Sequence, residues 1–216
     1  TPGLAVLFEI QQPLSGVANS PTSPGSVDNF IEVTVVAKDQ FGNVATSEQR
    51  GVTLVVNGAA IVVDGAPLDI VNGSCTTILT NTRAQSVRLS LVDSESTGLD
   101  TSSKRDVSFV PGQAVRFVFR HSGSIAVGNF GKVLVESRDQ YDNVAVSENR
   151  DVTAEATGNA IGASDISITN GRGSFYLTNF FAETVTLSFV DSFATGLNVS
   201  DTLDVVFSEG QTEQET

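Results

Sequence analysis

The sequence predicts an all-β protein built from two tandem β-sandwiches of about seven strands each. Three observations lead to this prediction. The 216-residue chain is rich in Val, Thr, Ser and Gly and lacks Met and Trp, a composition that favours strands over helices. Apolar and polar residues alternate along short segments that are separated by turn residues. The second half of the chain also repeats the first half.

The repeat is clearest in "DQFGNVATSEQR" at residues 39–50, which returns as "DQYDNVAVSENR" at residues 139–150. Four further pairs of segments match: 51–61 with 151–161, 70–81 with 168–179, 86–109 with 184–207, and 1–10 with 110–119. Each copy therefore has about a hundred residues, the size of an independent β-sandwich domain. We predict one domain at 1–110 and a second at 111–209, followed at 210–216 by a polar tail or the start of a further linker.

Alternation places the strands of the first copy near 4–10, 30–38, 51–57, 67–71, 76–80, 86–92 and 105–110, with counterparts in the second copy. Pro-Gly, Gly-Asn, Asn-Gly and Thr-Gly turns separate them. No segment keeps apolar residues at helical spacing over three turns, so we expect essentially no helix. Seven short strands in about a hundred residues predict an immunoglobulin-like sandwich. A long loop rich in Pro, Ser and Gly interrupts the first copy at 11–29.

Composition excludes several classes of function. The net charge of −13 repels phosphate backbones, so we expect no nucleic-acid partner. No run of apolar residues is long enough to cross a bilayer, and we expect no membrane insertion. The single Cys75 excludes an intrachain disulfide and is interpreted as a core or boundary residue. The only histidine, His121, lies in a polar loop-like segment, and no catalytic motif is present. We therefore predict that the chain is not an enzyme.

The chain resembles the bacterial immunoglobulin-like repeats of the invasin and intimin type, and more distantly filamin-type repeats. The resemblance rests on Asp39 to Val44 followed by "GVTLVV", on "VRLSLVDSESTGL", and on the Pro111-Gly112 junction, with matching elements in the second copy. The repeat pattern favours Gly at the position of Gly42, where the second copy has Asp142, a residue that tolerates a left-handed turn. The resemblance implies a large secreted or surface-anchored stalk or adhesin, and hence an extracellular or cell-surface location.

Acidic and amide side chains at turns are the candidate metal ligands: Asp39, Asn43, Asp93 and Asp100 in the first copy, and Asp139, Asp142, Asn143 and Asp191 in the second. In an immunoglobulin-like sandwich the turns that follow the second and sixth strands lie at the same end, which would bring these residues near one another. Ca²⁺ takes six to eight oxygen ligands at about 2.3–2.6 Å, and a bound ion would stiffen a domain junction. The alternative is that these residues only close turns by accepting hydrogen bonds from nearby N–H groups. No other cofactor is indicated.

Three phenylalanines of the second copy are the candidate partner-binding residues. Phe180 and Phe181 stand where the first copy has Thr82 and Arg83, and Phe193 stands where it has Glu95. They lie in predicted turns, where the sandwich does not need large apolar side chains. They either fold back over the sandwich end or form exposed patches for a partner. We expect the turns to lie at opposite ends of one strand and to serve two separate contacts.

Two classes of function remain. In the first, the chain is a non-enzymatic stalk, spacer or filament building block whose partners are neighbouring repeats of the same protein or subunits of the same assembly. In the second, it is an adhesive module that recognises glycan or protein through loops of the second copy, with Ca²⁺ as a possible stiffener. The ending "FSEGQ" at 207–211 answers "FVPGQ" at 109–113, which leads us to expect a continuing array.

Overall fold

The chain folds into two compact units, Thr1–Pro111 and Gly112–Thr216. A computed structural model describes residues 2–11 and 25–209, which contain sixteen β-strands and no helix. Nothing in these ranges has the helical length and apolarity needed to span a bilayer. The predicted tail at 210–216 and most of the loop at 11–29 lie outside the described residues.

The first unit is a sandwich of two four-stranded sheets. Its strands are β1 (Leu7–Gln11), β2 (Gly25–Ser26), β3 (Phe30–Lys38), β4 (Thr53–Val56), β5 (Ile61–Val62), β6 (Ser74–Thr80), β7 (Gln85–Val92) and β8 (Lys104–Val110). One sheet has the order β1-β3-β6-β5 and the other β2-β8-β7-β4. Pairing is antiparallel throughout except between β2 and β8, which run parallel. This strand order is that of an immunoglobulin-like sandwich.

The second unit repeats the arrangement. Its strands are β9 (Arg116–Arg120), β10 (Ile125–Ala126), β11 (Gly131–Arg138), β12 (Val152–Ala156), β13 (Asp165–Ile166), β14 (Arg172–Leu177), β15 (Thr184–Val190) and β16 (Thr202–Ser208). The sheets are β14-β11-β9 and β10-β16-β15-β12-β13, with β10 parallel to β16. The fifth strand (β5 or β13) joins opposite sheets in the two units, but the contacts are shared. Ile61 and Ile161 both pair in or next to the long strand that follows, and Leu68 and Ile166 pair in or next to the long strand before. The predicted fold class is confirmed.

Each unit has eight strands instead of the predicted seven. A two-residue strand (β2 or β10) precedes the second long strand, and in the first unit β5 forms at Ile61–Val62 in place of the strand predicted at 67–71. The predicted strand at 67–71 is wrong. Only two isolated bridges form there, between Val52 and Leu68 and between Val71 and Ser74. Pro67 lacks an N–H donor, and the left-handed turn at Asn72 begins soon after it (φ 53°), so too little extended chain remains for a ladder.

Each unit has its own hydrophobic core between its two sheets. Strand residues alternate between the core and the outer face, as in Phe117 and Phe119 of β9 and Val133 and Val135 of β11. In the second core Phe119 stacks on Phe189 with ring centroids 3.7 Å apart. Burial of each such side chain contributes about 1.5–3 kcal/mol to folding. Cys75 packs half-buried against the first core, and this burial raises the pKa of its thiol.

Candidate functional site

The repeated motif forms a corner after the second long strand of each unit, and its first residue is a buried aspartate. Asp39, which is 2% exposed, accepts hydrogen bonds from the backbone N–H groups of Phe41 and Asn43 at Oδ1, both at 2.9 Å. Its Oδ2 accepts a 2.8 Å hydrogen bond from the N–H of Gly3, near the start of the unit. The Asn43 amide adds two longer contacts to the same carboxylate. A carboxylate can accept this many bonds because it has only acceptor sites.

The second unit reproduces this arrangement atom for atom. Asp139 is fully buried, and its Oδ1 accepts from the N–H groups of Tyr141 and Asn143 at 2.9 Å. Its Oδ2 accepts from the N–H of Gly112 at 2.8 Å. Gly112 corresponds to Gly3, so in both units a Pro-Gly pair supplies the donor. The aspartate therefore connects the beginning of the unit to its corner.

These hydrogen bonds stabilise the ionised carboxylates. For Asp39 the bond from the Gly3 N–H is the largest influence on the pKa; burial opposes it, and the Asn43 and Phe41 donors lower the pKa further, to about 2. For Asp139 burial has the largest single effect and raises the pKa. The combined bonds from Asn143, Gly112 and Tyr141 outweigh burial and lower the pKa. Both aspartates are therefore charged at neutral pH.

The same corner ends in a glutamate–arginine pair. Glu48 is 7% exposed; its Oε1 accepts from the backbone N–H and Nε of Arg50, and its Oε2 accepts from an Arg50 terminal nitrogen at 2.7 Å. Hydrogen bonding by Arg50 lowers the pKa of Glu48 to about 2, against the opposing effect of burial. Glu148 and Arg150 form the same two-pronged pair, at 2.9 and 2.6 Å. This geometry uses the planar fork of arginine, which lysine lacks.

A second aspartate in each unit closes the turn after β7 or β15. Asp93 accepts at Oδ1 from the N–H and hydroxyl of Thr97, at 2.8 and 3.0 Å, and at Oδ2 from the N–H of Gly98 at 2.9 Å. Asp191 does the same with Thr195 and Gly196. Backbone hydrogen bonds are the leading reason that the pKa of each aspartate is lowered. Each of these residues serves as a side-chain turn cap.

The arginine of the corner also contacts this turn. The second terminal nitrogen of Arg50 donates to the carbonyl of Thr97 at 3.1 Å, and that of Arg150 donates to Thr195 at 2.7 Å. Each unit thus has two hydrogen-bonded groups around this corner. One joins the Pro-Gly start to the buried aspartate, and the other joins the glutamate–arginine pair to the far turn. We call these two groups together the corner network; its residues in the second unit are Gly112, Asp139, Glu148, Arg150, Thr195 and Asp191.

The structure places the predicted metal ligands other than Asp100 in these turns; Asp100 accepts instead from the Ser102 N–H at 2.8 Å. Asp39 with Asn43, and Asp139 with Asn143, lie in the corners, while Asp93 and Asp191 lie in the facing turns. Asp142 has a φ of 69°, which confirms the left-handed conformation expected where the first unit has Gly42. Its carboxylate pairs with Arg116 at 2.9 Å.

Within the described ranges, no group of three or more His, Cys, Asp or Glu side chains is placed to hold a metal ion. The carboxylates of Asp39, Asp139, Asp93 and Asp191 already accept N–H donors, and an ion would have to displace these. The arrangement fits turn closure better than it fits Ca²⁺ coordination. Calcium binding stays a prediction.

The candidate phenylalanines are exposed. Phe180 and Phe181, 65% and 60% exposed, lie in the turn between β14 and β15, where the Phe181 N–H donates to the buried Asn179 side chain. The nearby Gly128 N–H donates to the Asn179 carbonyl. Phe193, 45% exposed, follows the other end of β15. The two turns therefore lie at opposite ends of one strand, as expected.

Solved structures similar to the chain include bacterial surface proteins. The chain is similar to FdeC, an adhesin of Escherichia coli, with 14% identity and a TM-score of 0.42 over 95% of this chain and 66% of that one. It is similar to the D00–D0 domain of intimin with 10% identity and a TM-score of 0.45, over 94% of this chain and 100% of that one. The invasin and intimin type of repeat, which the sequence motifs resemble, is thus represented among these structures.

A β-glycosidase from Bacteroides vulgatus is also similar, with 9% identity and a TM-score of 0.44, over 93% of this chain but 24% of that one. The chain thus spans less than two thirds of the FdeC and glycosidase chains. No protein-family model and no curated protein matches it. Likenesses this distant assign neither an activity nor a partner.

The sequence pattern identified Asp39, Asp93 and their repeats but missed four partners in each unit. In the second unit these are Gly112, Glu148, Arg150 and Thr195. Signals for them were present, because Pro-Gly, S-E-x-R and the Thr-Gly turn are all duplicated. What the sequence did not show is which duplicated residues meet.

Proposed function

We propose that the chain is a non-enzymatic structural segment (a stalk, spacer or filament building block) of a large extracellular or cell-surface protein. Its partners are then neighbouring immunoglobulin-like repeats or subunits of the same assembly. The observation that carries the proposal is the parallel pairing between the second strand and the last strand of each unit. In the second unit β10 runs parallel to β16, with Ile125 opposite Phe207 and Ala126 opposite Ser208.

This pairing resists a pulling force. When the two ends of a unit are pulled apart, parallel neighbours slide along each other, so their hydrogen bonds are loaded together instead of one at a time. The contact continues beyond the strands: the Val127 N–H donates to the Ser208 carbonyl at 2.9 Å, and Arg116 bridges Asn198 in the parallel sense. In the first unit β2 pairs with β8 in the same way, and Val27 bonds to Val110.

Single-molecule force spectroscopy on the full chain, with handles at both ends, tests the proposal. We expect two unfolding events. Val127→Pro removes the donor to Ser208 and should lower the unfolding force of one event, while the first unit serves as the unchanged control in the same molecule. If both wild-type units unfold at forces close to the detection limit, or if the substitution changes neither event, the mechanical role is excluded.

A second candidate function is an adhesive role through loops of the second unit. It is favoured by an apolar group at one end of this unit, where Phe130 is 73% exposed and Phe180 and Phe181 are similarly open. Exposed aromatic side chains are enriched at interfaces. Phe180→Thr with Phe181→Arg installs the first unit's residues and should preserve the fold. Loss of self-association in sedimentation velocity, or of binding to a glycan array, would support the role; unchanged behaviour in both assays would exclude it.

A further inference from the structure

One face of the second unit is basic although the chain as a whole is strongly acidic. Core residues of β9, β11 and β14 alternate with residues on the outer face of the β14-β11-β9 sheet. Five of the ten outer positions are Lys or Arg. The ten are Arg116, Val118 and Arg120 on β9, Lys132, Leu134, Glu136 and Arg138 on β11, and Arg172, Ser174 and Tyr176 on β14. We call these ten residues the basic face.

Few carboxylates balance these charges. The carboxylate of Glu136 contacts three guanidinium groups: those of Arg120 at 3.5 Å, Arg172 at 3.4 Å, and Arg138. Burial raises the pKa of Glu136 most, but the three arginines together outweigh it and lower the pKa, so Glu136 is ionised. One negative charge thus faces three positive ones, and Lys132 adds a fourth. Arg116 is neutralised by Asp142. The basic face therefore keeps a net positive charge.

The first unit shows that the fold does not require this charge. At the same ten positions it has Leu7, Glu9, Gln11, Glu32, Thr34, Val36, Lys38, Ser74, Thr76 and Ile78. There the only cation, Lys38, pairs with Glu9. The same sandwich is built with a slightly acidic face in one copy and a basic face in the other. The corner network is identical in the two copies, so the basic face is a local change, not a general drift.

The basic face also contains a groove. It is a wide, open depression with a volume of about 610 Å³, lined by Arg120, His121, Ser122, Lys132 and Leu134. His121 is held at its edge by a 3.0 Å hydrogen bond from Nδ1 to the Lys132 carbonyl. Next to Lys132 across the strand pair lies Tyr176, 58% exposed. The groove thus offers cations at its rim and an exposed aromatic ring beside it.

We propose that the basic face binds an anionic polysaccharide, a sugar chain that carries sulfate or carboxylate groups. Lys132 and Arg138 lie about 20 Å apart along β11, and the five cations of the face are spread over three strands about 4.8 Å apart. A linear polyanion can contact such a row repeatedly. Guanidinium groups bind sulfate and carboxylate through paired hydrogen bonds, and the Tyr176 ring provides a surface against which a sugar ring packs.

Two other classes of partner, a protein and a nucleic acid, fit the basic face less well than a polysaccharide does. A protein interface needs an apolar, charge-poor centre, whereas on the basic face only Leu134 and Tyr176 are exposed apolar or aromatic side chains. A nucleic acid would extend beyond the face and meet the remaining surface of a chain with a net charge of −13.

The proposal is tested by calorimetric titration of the full chain with heparin, hyaluronan and a single-stranded oligonucleotide at matched ionic strength. A face variant carries the first unit's residues: Arg120→Gln, Lys132→Glu and Arg172→Ser. A control variant makes the same change in net charge on the first unit: Arg83→Ser, Lys104→Glu and Arg105→Gln. Thermal melting of both variants verifies folding.

We expect the wild-type chain to bind heparin or hyaluronan with an affinity that falls as salt is raised. The two polymers distinguish sulfate from carboxylate recognition. The face variant should lose at least about tenfold in affinity, since one lost hydrogen bond to a charged group accounts for about that factor. The control variant should bind as the wild type does. Failure of the wild type to bind either polysaccharide, equal loss in both variants, or tighter binding of the oligonucleotide would overturn the proposal. None of these outcomes depends on the mechanical role.

Discussion

The backbone N–H of Gly112 donates a 2.8 Å hydrogen bond to Oδ2 of Asp139, twenty-seven residues further along the chain. The bond joins the start of the second unit to the corner after β11. The first unit has the same relation between Gly3 and Asp39. Both partners are duplicated. We interpret the repeated "DQ-aromatic-x-N" motif as a fastening site: its aspartate accepts the hydrogen bond that holds the first residues of each sandwich in place.

Removal of the buried aspartate should destabilise its unit. Asp139→Ala leaves the N–H groups of Gly112, Tyr141 and Asn143 without their acceptor in a buried position. We expect the free energy of unfolding of the second unit to fall by about 3 kcal/mol, measured by urea unfolding of the full chain with circular dichroism. Asp39→Ala should act in the same direction on the first unit.

The control for this experiment is Asp142→Gly, in the same turn. It installs the first unit's residue at a left-handed position, and the carboxylate that it removes pairs with Arg116 near the surface. We expect little change in stability. A similar loss of stability in the Asp142 and Asp139 variants would show that the turn as a whole, and not the fastening bond, determines the result.

The glutamate–arginine pair should show measurable coupling. In a double-mutant cycle of Glu148→Ala and Arg150→Ala, we expect a coupling energy of about 1 kcal/mol. The value is modest because the Arg150 side chain is 53% exposed and water screens its charge. Arg150→Lys should not restore the loss, since lysine cannot hold Glu148 and the Thr195 carbonyl together. Full recovery of stability in the Arg150→Lys variant would show that the pair acts only through opposite charge and not through the geometry of the guanidinium group.

The stability of the folded chain should decrease as the pH is lowered into the acidic range. The pKa values of Asp39 and Glu48 are lowered from 3.8 and 4.5 to about 2 in the folded protein. A group whose pKa is lower in the folded than in the unfolded protein stabilises the fold fully at pH values above its unfolded pKa. This stabilisation is lost as the pH falls toward its folded pKa. We expect the urea midpoint to fall steadily between about pH 4.5 and pH 2 from this contribution. In a variant with Asp39→Asn and Glu48→Gln the decline should be shallower, and an equally steep decline would refute this assignment.

Calcium should not stabilise the chain. The corner carboxylates already accept N–H donors, and in the described residues no three His, Cys, Asp or Glu side chains are grouped to hold an ion. We expect the melting temperature to stay within about 1 °C on addition of millimolar CaCl₂ or of a chelator. A rise with Ca²⁺ that the chelator reverses would instead establish the predicted ion at Asp39, Asn43, Asp93, Asp139, Asp142 or Asp191.

Much of the fold could be predicted from the sequence because the chain contains two copies of the same domain sequence. Alternation located most long strands, and the repeat located the corners and the turn residue Asp142. The strand at 67–71 failed because Pro67 and the Asn72-Gly73 turn shorten it, which local alternation does not reveal. The meeting of Arg50 with Thr97, forty-seven residues apart, depends on how the sheets pack. The basic face was missed because its five cations come from three strands and align only in the correct register.

The most direct test of the account is an NMR titration of the amide protons of Gly3 and Gly112. Each is bonded to a buried aspartate, so its chemical shift should report the ionisation of that aspartate. We expect the Gly3 amide to titrate with a midpoint near pH 2, the Gly112 amide to titrate below the ordinary aspartate range, and each transition to disappear in the corresponding Asp→Asn variant. Glycine amides that do not titrate, or that follow an ordinary aspartate midpoint near pH 3.8, would contradict the fastening role of the repeated motif.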